Sequence, residues 1–172
     1  MSGYCDSAPG HSYHGPYHDT EYGFPVGDDS ILFERLCLEI FQAGLSWLIV
    51  LKKRETLRVA FDGFDPARVA TYDEAKIAAL LADPGIVRHR GKITAIIENA
   101  RRILLLQQQS GSFASWLAAQ PAADRADWVK LFKKTFKFTG GEIVNEFLMS
   151  VGILPGAHRP DCPVALRLAG HR

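Results

Sequence analysis

The sequence predicts an all-α domain, because apolar residues recur at helical spacing along most of its 172 residues and capping signals separate the runs. Few stretches alternate apolar and polar residues with the period of a strand. Hydrophobic residues make up 47% of the chain, enough to bury a core. We expect one domain over residues 1–172, with an irregular N-terminal segment over 1–29 and a loose tail over about 168–172.

The first two helices are predicted by apolar periodicity and by a cap. From Ser30 to near Gly44 the pattern is apolar on nearly all sides, which is typical of a buried helix. Ser46 has the residue type of an N-cap, and we expect a second helix to run from it to about Phe61.

The middle of the chain carries further capping signals. Asp65 followed by Pro66 predicts a short helix, since proline is favoured at the first helical position. Thr71 with Glu74 fits a capping box for a helix that stops at Asp83. A long helix is predicted from near Gly91 to Gly111. The remaining helices are predicted at Phe113–Ala119, Asp127–Lys134 and Glu142–Val151.

Composition narrows the possible settings of the protein. The formal net charge is +1, so any nucleic-acid binding must come from local clusters. No apolar run reaches membrane-spanning length, and we expect no membrane partner. Three cysteines and no secretory-type leader favour a reduced, cytoplasmic setting without disulfides.

A basic segment over residues 85–92, Gly85-Ile-Val-Arg-His-Arg-Gly-Lys92, is bounded by glycines and runs into a helix start. Glycines let a backbone approach phosphate closely, and helix N-termini attract anions. The alternative is an ordinary loop with solvated charges, and the local features favour neither. The DNA-binding residues of this segment, called the hairpin below, would be Gly85, Arg88, His89, Arg90, Gly91 and Lys92.

Glu39 lies within the strongly apolar helix, and a buried carboxylate is unfavourable unless it is paired or functional. Gln42 shares its face, and Trp47 follows just past the turn. An acid, an amide and an indole together could bind a flat heterocycle. The alternative, favoured by residue types alone, is an exposed Glu39 or one paired with a base such as Lys53.

Soft metal donors lie near both ends of the chain: Cys5, His18, His158 and Cys162. Zinc accepts Cys₂His₂ sets, and four protein ligands make a site structural. The spacing is not that of a zinc finger. His11 and His14 are competing donors on the N-terminal side, and Cys37 is expected in the core.

Together these segments resemble the DNA-3-methyladenine glycosylase I family, the constitutive bacterial TAG type. The likeness covers about residues 5–162. The matching segments are Tyr17–Gly23, Cys37–Glu39, Gln42–Glu55, Phe64–Pro66, Gly85–Ile93 and Phe136–Phe138.

The resemblance implies a helix-hairpin-helix DNA glycosylase fold in which structural Zn²⁺ joins the N- and C-termini as a clasp. It carries the metal ligands onto Cys5, His18, His158 and Cys162, and the phosphate grip onto the hairpin. It implies a base pocket whose catalytic residues are Glu39, Trp47 and Tyr17. Tyr22 stands where the family usually has another aromatic residue.

The implied activity is hydrolysis of the N-glycosidic bond of 3-methyladenine in alkylated double-stranded DNA, by a monomer, leaving an abasic site. No lysine is obviously placed for strand cleavage. The sequence departs from the family at Ser7, where Trp is frequent, and at Asn145-Glu146, where Tyr-Ser is usual. Two alternatives are a glycosylase for another alkylpurine and a non-catalytic DNA-binding protein; the retained Glu39 and Trp47 argue against the second.

Overall fold

The computed structural model of the chain describes residues 3–121 and 124–170, which form eleven α-helices and no strand. A short 3-10 helix at Asp62–Phe64 lies between the fourth and fifth α-helices. None of the described helices is long and apolar enough to cross a membrane. In chain order the helices are α1 (Tyr4–Ser7), α2 (His14–Thr20), α3 (Asp29–Gln42), α4 (Trp47–Ala60), α5 (Pro66–Val69), α6 (Glu74–Leu81), α7 (Arg90–Ser110), α8 (Phe113–Ala118), α9 (Arg125–Thr135), α10 (Gly141–Ser150) and α11 (Pro163–Ala169).

Helix α3 is the central element of the core. Every residue from 32 to 41 is buried, and the helix contacts α4, α7, α8 and α10. The prediction of a buried helix is confirmed, because an element apolar on nearly all sides is stable only when other elements cover it. The helix begins at the Asp28 cap, which accepts the Ile31 N–H at 3.1 Å, and it ends before Gly44, whose φ of +81° suits glycine.

Most of the predicted caps are present, with one correction. Ser46 accepts the Ile49 N–H, and Asp65 caps α5 ahead of Pro66. The capping box at Thr71 is wrong: Asp73 caps α6, and the Thr71 hydroxyl donates to the Arg68 carbonyl at 2.7 Å. Aspartate directly before the first helical residue is an equally good cap, so the two signals compete within three residues.

The predictions of an irregular segment over 1–29 and a loose tail over about 168–172 need correction. The first segment contains α1 and α2, and α11 continues through Ala169; residues 171–172 lie outside the described part. These helices are too short to be stable alone. They form by packing: Tyr17 and His18 of α2 are 2% and 1% exposed, and Leu168 of α11 packs against Cys5 and Cys162.

A buried ionic network fastens the N-terminal segment to the core. The Arg54 guanidinium of α4 donates to both carboxylate oxygens of Glu21 at 2.7 Å, and its Nε donates to Glu34 of α3 at 2.7 Å. Arg58 adds a second donor to Glu34 at 2.8 Å. The network therefore joins the end of α2, the start of α3 and the middle of α4 beneath the N-terminal tyrosines.

We expect Arg54→Leu to lower the free energy of unfolding by about 3 kcal/mol, because Glu21 loses its two short contacts and Glu34 keeps only Arg58. Urea unfolding measures the change. Arg68→Leu is the matched control, since Arg68 is exposed and lies 3.9 Å from Asp62 and from Asp65, and such surface pairs contribute about 1 kcal/mol or less. Equal losses in the two variants would contradict a structural role for the Arg54 network.

Candidate active site and metal centre

A cavity of about 370 Å³ opens between the N-terminal segment, the end of α3, the start of α4 and α10. We call it the base cavity. It brings together the five pocket residues that the sequence predicts, Glu39, Trp47, Tyr17, Tyr22 and Gln42. Their individual roles stay predictions. The complete lining is Tyr4, Tyr17, Tyr22, Glu39, Gln42, Ala43, Gly44, Leu45, Trp47, Glu142, Ile143 and Glu146.

Glu39 lies in the cavity wall and is 5% exposed. Burial raises the pKa of its carboxyl to about 8, the Glu146 carboxylate adds to the rise, and Arg35 opposes it. No hydrogen bond to this carboxyl comes from the residues that the structure describes. The alternative of an exposed or Lys53-paired Glu39 is wrong, since Lys53 donates to the Pro84 carbonyl at 3.2 Å.

Tyrosine and tryptophan rings make up the other walls of the base cavity. Tyr17 stacks on Tyr22 with 5.8 Å between ring centroids, and Trp47 lies 5.2 Å from Tyr17. The Arg35 guanidinium lies 4.9 Å from the Tyr17 centroid. The Tyr17 ring is thus largely enclosed, and Trp47, which is only partly buried, has ring surface left for a ligand.

The Tyr17 hydroxyl is a buried polar group with no hydrogen-bond partner among the described residues. Such groups are rare in folded proteins because an unmade hydrogen bond is unfavourable. Gln42 is already engaged, since its amide nitrogen lies 3.5 Å from the Leu45 carbonyl across the turn. An orphaned hydroxyl and an unpaired carboxyl beside one cavity are the signs of a site built for a polar ligand.

Seven of the twelve lining residues were not predicted as part of the cavity, and Tyr4 and Glu146 are two of them that carry polar groups. Tyr4 reaches it from α1, and its hydroxyl lies 3.0 Å from His14 Nδ1. Glu146 reaches it from α10 and is the second residue of the Asn145-Glu146 departure from the family pattern. Asn145 itself and Ser7 do not line the cavity. The departure at Asn145-Glu146 was the sequence signal for this residue. Adjacent side chains of a helix point about 100° apart, so Glu146 can face the cavity while Asn145 does not.

The hairpin connects α6 to α7, and its exposed basic side chains are Arg88, His89 and Arg90. His89 is the N-cap of α7, accepting the Lys92 N–H at 3.0 Å. Arg90 lies 3.2 Å from Glu74 in an exposed pair, and Arg88 has no ion pair among the described residues. The backbone turn at Gly85 is tight: its N–H donates to Asp83 at 2.8 Å.

Lys92 does not fit the phosphate-gripping role that the sequence predicts for it. Its side chain is 4% exposed, and its ammonium donates to the carbonyls of Phe41, at 2.9 Å, and Ala43. It therefore satisfies the C-terminal carbonyls of α3, where a cation also complements the helix dipole. The sequence alone does not show whether a charged side chain at a helix start faces solvent or a neighbouring helix.

Phe138 extends the exposed surface beside the hairpin. It adopts a φ of +60°, is 42% exposed and has its ring 6.3 Å from that of His89. The buried amide of Asn99 holds the preceding residue through both backbone groups of Lys137, at 2.7 and 3.0 Å. No sequence signal predicts the left-handed conformation of Phe138, because non-glycine residues seldom adopt it.

The four predicted metal donors meet at one point, with ligand atoms within 4.8 Å of one another: Cys5, His18, His158 and Cys162. Cys162 Sγ lies 3.8 Å from His18 Nε2 and 3.8 Å from His158 Nδ1, and the two nitrogens are 3.2 Å apart. Zinc bonds of about 2.0 Å to nitrogen and 2.3 Å to sulfur, arranged tetrahedrally, give edges close to these lengths. The set could therefore bind a metal ion.

The outer contacts of both histidines fix which nitrogen faces the centre. His18 Nδ1 lies 2.7 Å from the Asp19 carboxylate, and His158 Nε2 lies 2.5 Å from the Tyr22 carbonyl. These oxygens only accept, so each outer nitrogen carries the proton. In the neutral rings two lone pairs then face each other across 3.2 Å, which repel unless a cation lies between them. His14 and His11 are engaged elsewhere.

An all-helical fold with a buried acid in an aromatic cavity, and with a basic hairpin at the start of a long helix, has the features that the sequence predicts for the class of proteins that bind a flat base and a DNA backbone. Residues 8–129 match the family model described as methyladenine glycosylase. The chain therefore belongs to the methyladenine glycosylase family.

Relatives that match over most of the chain agree with the family model. The chain is 41% identical to DNA-3-methyladenine glycosylase 1 of Escherichia coli (strain K12), over 80% of this chain and 84% of the relative. It is 35% identical to DNA-3-methyladenine glycosylase of Haemophilus influenzae, over 86% and 89%. A solved structure on 3-methyladenine recognition by 3-methyladenine DNA glycosylase I (TAG) from Staphylococcus aureus has a TM-score of 0.82 at 32% identity and covers 94% of this chain and 96% of that chain.

Two substitutions separate the structural role of Lys92 from the DNA-binding role expected of Arg88. We expect Lys92→Met to lower the free energy of unfolding by about 2 kcal/mol, because two α3 carbonyls lose a charged donor. Arg88→Ala should leave stability unchanged, weaken binding to all duplex sequences alike and reduce the salt slope of log K by about 1. Chemical unfolding and fluorescence anisotropy at several salt concentrations measure these effects. The assignment is wrong if Lys92→Met changes only the salt slope.

Proposed function

We propose that this protein is a monofunctional DNA glycosylase that excises 3-methyladenine from alkylated double-stranded DNA by hydrolysis. The observation that carries the proposal is the buried, unpaired carboxyl of Glu39 in an aromatic cavity of about 370 Å³. The relatives named for this activity, and the Staphylococcus aureus protein whose structure concerns recognition of 3-methyladenine, support it.

Substrate binding begins with extrusion of the damaged nucleotide from the duplex. Methylation at N3 weakens pairing, so flipping this base requires less free energy than flipping an intact one. The hairpin would hold one strand through Arg88 and Arg90, which contact phosphate without reading sequence. The extruded purine carries a positive charge, and the electron-rich rings of Trp47 and Tyr22 attract it.

Glu39 changes its charge when such a base arrives. With the cavity empty its pKa of about 8 keeps the carboxyl mostly protonated at neutral pH. A cationic purine nearby favours the ionised form, which then accepts hydrogen bonds from the exocyclic amino group. A neutral, undamaged base gives no such compensation, so the carboxyl stays mostly protonated and no attraction between opposite charges forms.

Bond cleavage draws on a leaving group that methylation has already activated. The bond between the sugar C1′ and N9 breaks, and its electron pair stays on the base, which departs neutral. Water adds to C1′ and loses a proton, so the product is an abasic site in an intact strand. No lysine lines the base cavity among the described residues, which argues against a Schiff base and strand cleavage.

We also infer that the Cys/His cluster holds structural zinc. The donor atoms have tetrahedral spacing, both imidazoles offer a lone pair inward, and four protein ligands leave no open position. The ion would join the N-terminal segment to the chain ahead of α11, which is the clasp that the sequence predicts. One chain supplies every described residue of the cavity, so we expect the monomer to act, in the cytoplasm.

The first test is release of free base from methylated duplex DNA by wild-type protein and Glu39→Gln, with the products separated by chromatography. Wild type should release 3-methyladenine, and the variant should be slower by about 100-fold, because an amide cannot carry the compensating charge. Binding of both proteins to an abasic duplex should be similar. Equal losses of excision and abasic-site binding would mean that Glu39 is structural.

The pH profile gives an independent prediction for Glu39. If the ionised carboxylate is needed, kcat/KM should rise about tenfold per pH unit up to about pH 8 and then level. The reason is that the ionised fraction of Glu39, whose pKa is about 8, grows about tenfold per pH unit below that value. Glu39→Gln should lack the rise. Glu55→Gln, an exposed acid on α4, is the control and should keep the wild-type profile. The same pH profile in all three proteins would mean that ionisation of Glu39 does not cause the pH dependence of kcat/KM.

Metal analysis tests the clasp. Protein purified without chelators should contain one zinc per chain, and its removal should lower the thermal unfolding midpoint, because the ion closes a loop of nearly the whole chain. His158→Ala should lose the metal. His11→Asn should keep it, since His11 Nδ1 instead accepts the backbone N–H groups of Tyr13 and His14. Zinc-free native protein would refute the inference.

A further inference from the structure

Among the described residues, Glu146 gives the base cavity a second carboxyl group without a basic partner, on a different helix from the first; the third acid of the lining, Glu142, is exposed and pairs with Arg125 at 2.7 Å. Glu146 lies on α10, Glu39 lies on α3, and both line the same space. The Tyr22 hydroxyl donates to Glu146 Oε2 at 3.3 Å. The family resemblance offers serine at this position, so the second acid distinguishes this chain from the usual pattern. This inference rests on the proposed glycosylase function.

The two carboxyl groups are electrostatically coupled across the cavity. Burial raises the pKa of the Glu146 carboxyl, and the Glu146 charge in turn is among the causes that raise the pKa of Glu39. Neither is paired with a basic side chain in the described part of the chain, whereas the acids beneath the cavity, Glu21 and Glu34, both are. Two such groups lie close together without a counter-ion by staying protonated, and a cationic ligand that enters the cavity would favour the ionised forms.

The orphaned Tyr17 hydroxyl is an independent sign that a ligand completes this site. Tyr17 is 2% exposed and lines the same cavity, yet its hydroxyl has no partner among the described residues. A purine edge could supply one. The cavity therefore presents acceptors on two helices and one spare hydroxyl to whatever enters it.

We propose that Glu146 is a specificity-determining residue that, with Glu39, accepts the two N–H bonds of the 6-amino group of a cationic adenine and thereby excludes alkylated guanines. The two N–H bonds of an exocyclic amine diverge, so two acceptors approaching from separate helices satisfy both. Guanine has a carbonyl oxygen at the same position, which would meet two carboxylates that, once a cationic base has ionised them, can only accept. Leaving buried polar groups unpaired discriminates strongly between otherwise similar ligands.

Serine or glutamine at this position would relax the discrimination, because either side chain can donate to the guanine carbonyl. The experiment compares wild type, Glu146→Gln and Glu146→Ser on duplex DNA methylated to contain 3-methyladenine, 3-methylguanine and 7-methylguanine. The initial rates of base release are measured by chromatography. Both variants should lower the ratio of 3-methyladenine to 3-methylguanine release by about tenfold or more, through slower release of the adenine, which loses an acceptor, and faster release of the guanine, which gains a donor.

Two control variants separate a direct contact from indirect effects. Glu55→Gln removes the same charge from the surface of α4 and should leave the ratio unchanged. Tyr22→Phe removes the hydrogen bond to Glu146 but keeps its carboxyl, so it should keep the ratio even where total release falls. A ratio that drops as far in Tyr22→Phe as in Glu146→Gln would make Glu146 a support for the tyrosine and overturn the proposal.

The outcomes also separate this inference from the proposed function. Wild-type release of 3-methyladenine with an unchanged ratio in both Glu146 variants would overturn the specificity role alone. Wild-type protein that releases none of the three bases would overturn the glycosylase function and the inference with it. A parallel fall for all three bases in the Glu146 variants would show general damage to the cavity and would also refute selective recognition.

Discussion

The base cavity depends on the pairing of Arg54 with Glu21. Three short contacts to Glu21 and Glu34 fix the chain just after α2 against α3 and α4, and this places Tyr17 and Tyr22 above the end of α3. Without that anchor the N-terminal segment has only short helices, which cannot hold a conformation by themselves. A buried ionic network is thus used for position, although it offers little net stability over apolar packing.

The opposite end of the segment is held by the Cys/His cluster and its surroundings. The Arg159 guanidinium lies 2.8 Å from Asp6, and Arg167 donates to the Asp19 carbonyl at 2.7 Å. The Tyr22 carbonyl that orients His158 belongs to the same residue whose ring lines the cavity. The metal centre and the base cavity are therefore neighbours that share a residue, and an ion at the first would also fix the wall of the second.

How much of this could be predicted from the sequence varies with the kind of signal. The buried helix α3 and the caps at Ser46 and Asp65 follow from local periodicity and residue type, and all are present. Local signals could not show that Lys92 faces the end of α3, because solvent and a neighbouring helix both suit a lysine at that spacing. The same limit applies to Glu146, whose place in the cavity depends on how α10 packs against α3.

The carboxyl groups and the tyrosine rings of the cavity wall belong to parts of the molecule that are stabilised by different contacts. The carboxyl groups belong to α3 and α10, which pack directly against each other in the core. The tyrosines belong to the N-terminal segment, which contributes little to the main core and is held by ion pairs and the metal donors. Opening the clasp would therefore loosen the aromatic wall first, while Glu39 and the hairpin stay in place. Under the proposed function, selective binding of a flat cationic base needs both walls, whereas gripping a DNA backbone needs only the hairpin, so a metal bound at the Cys/His cluster would control base recognition more than DNA binding.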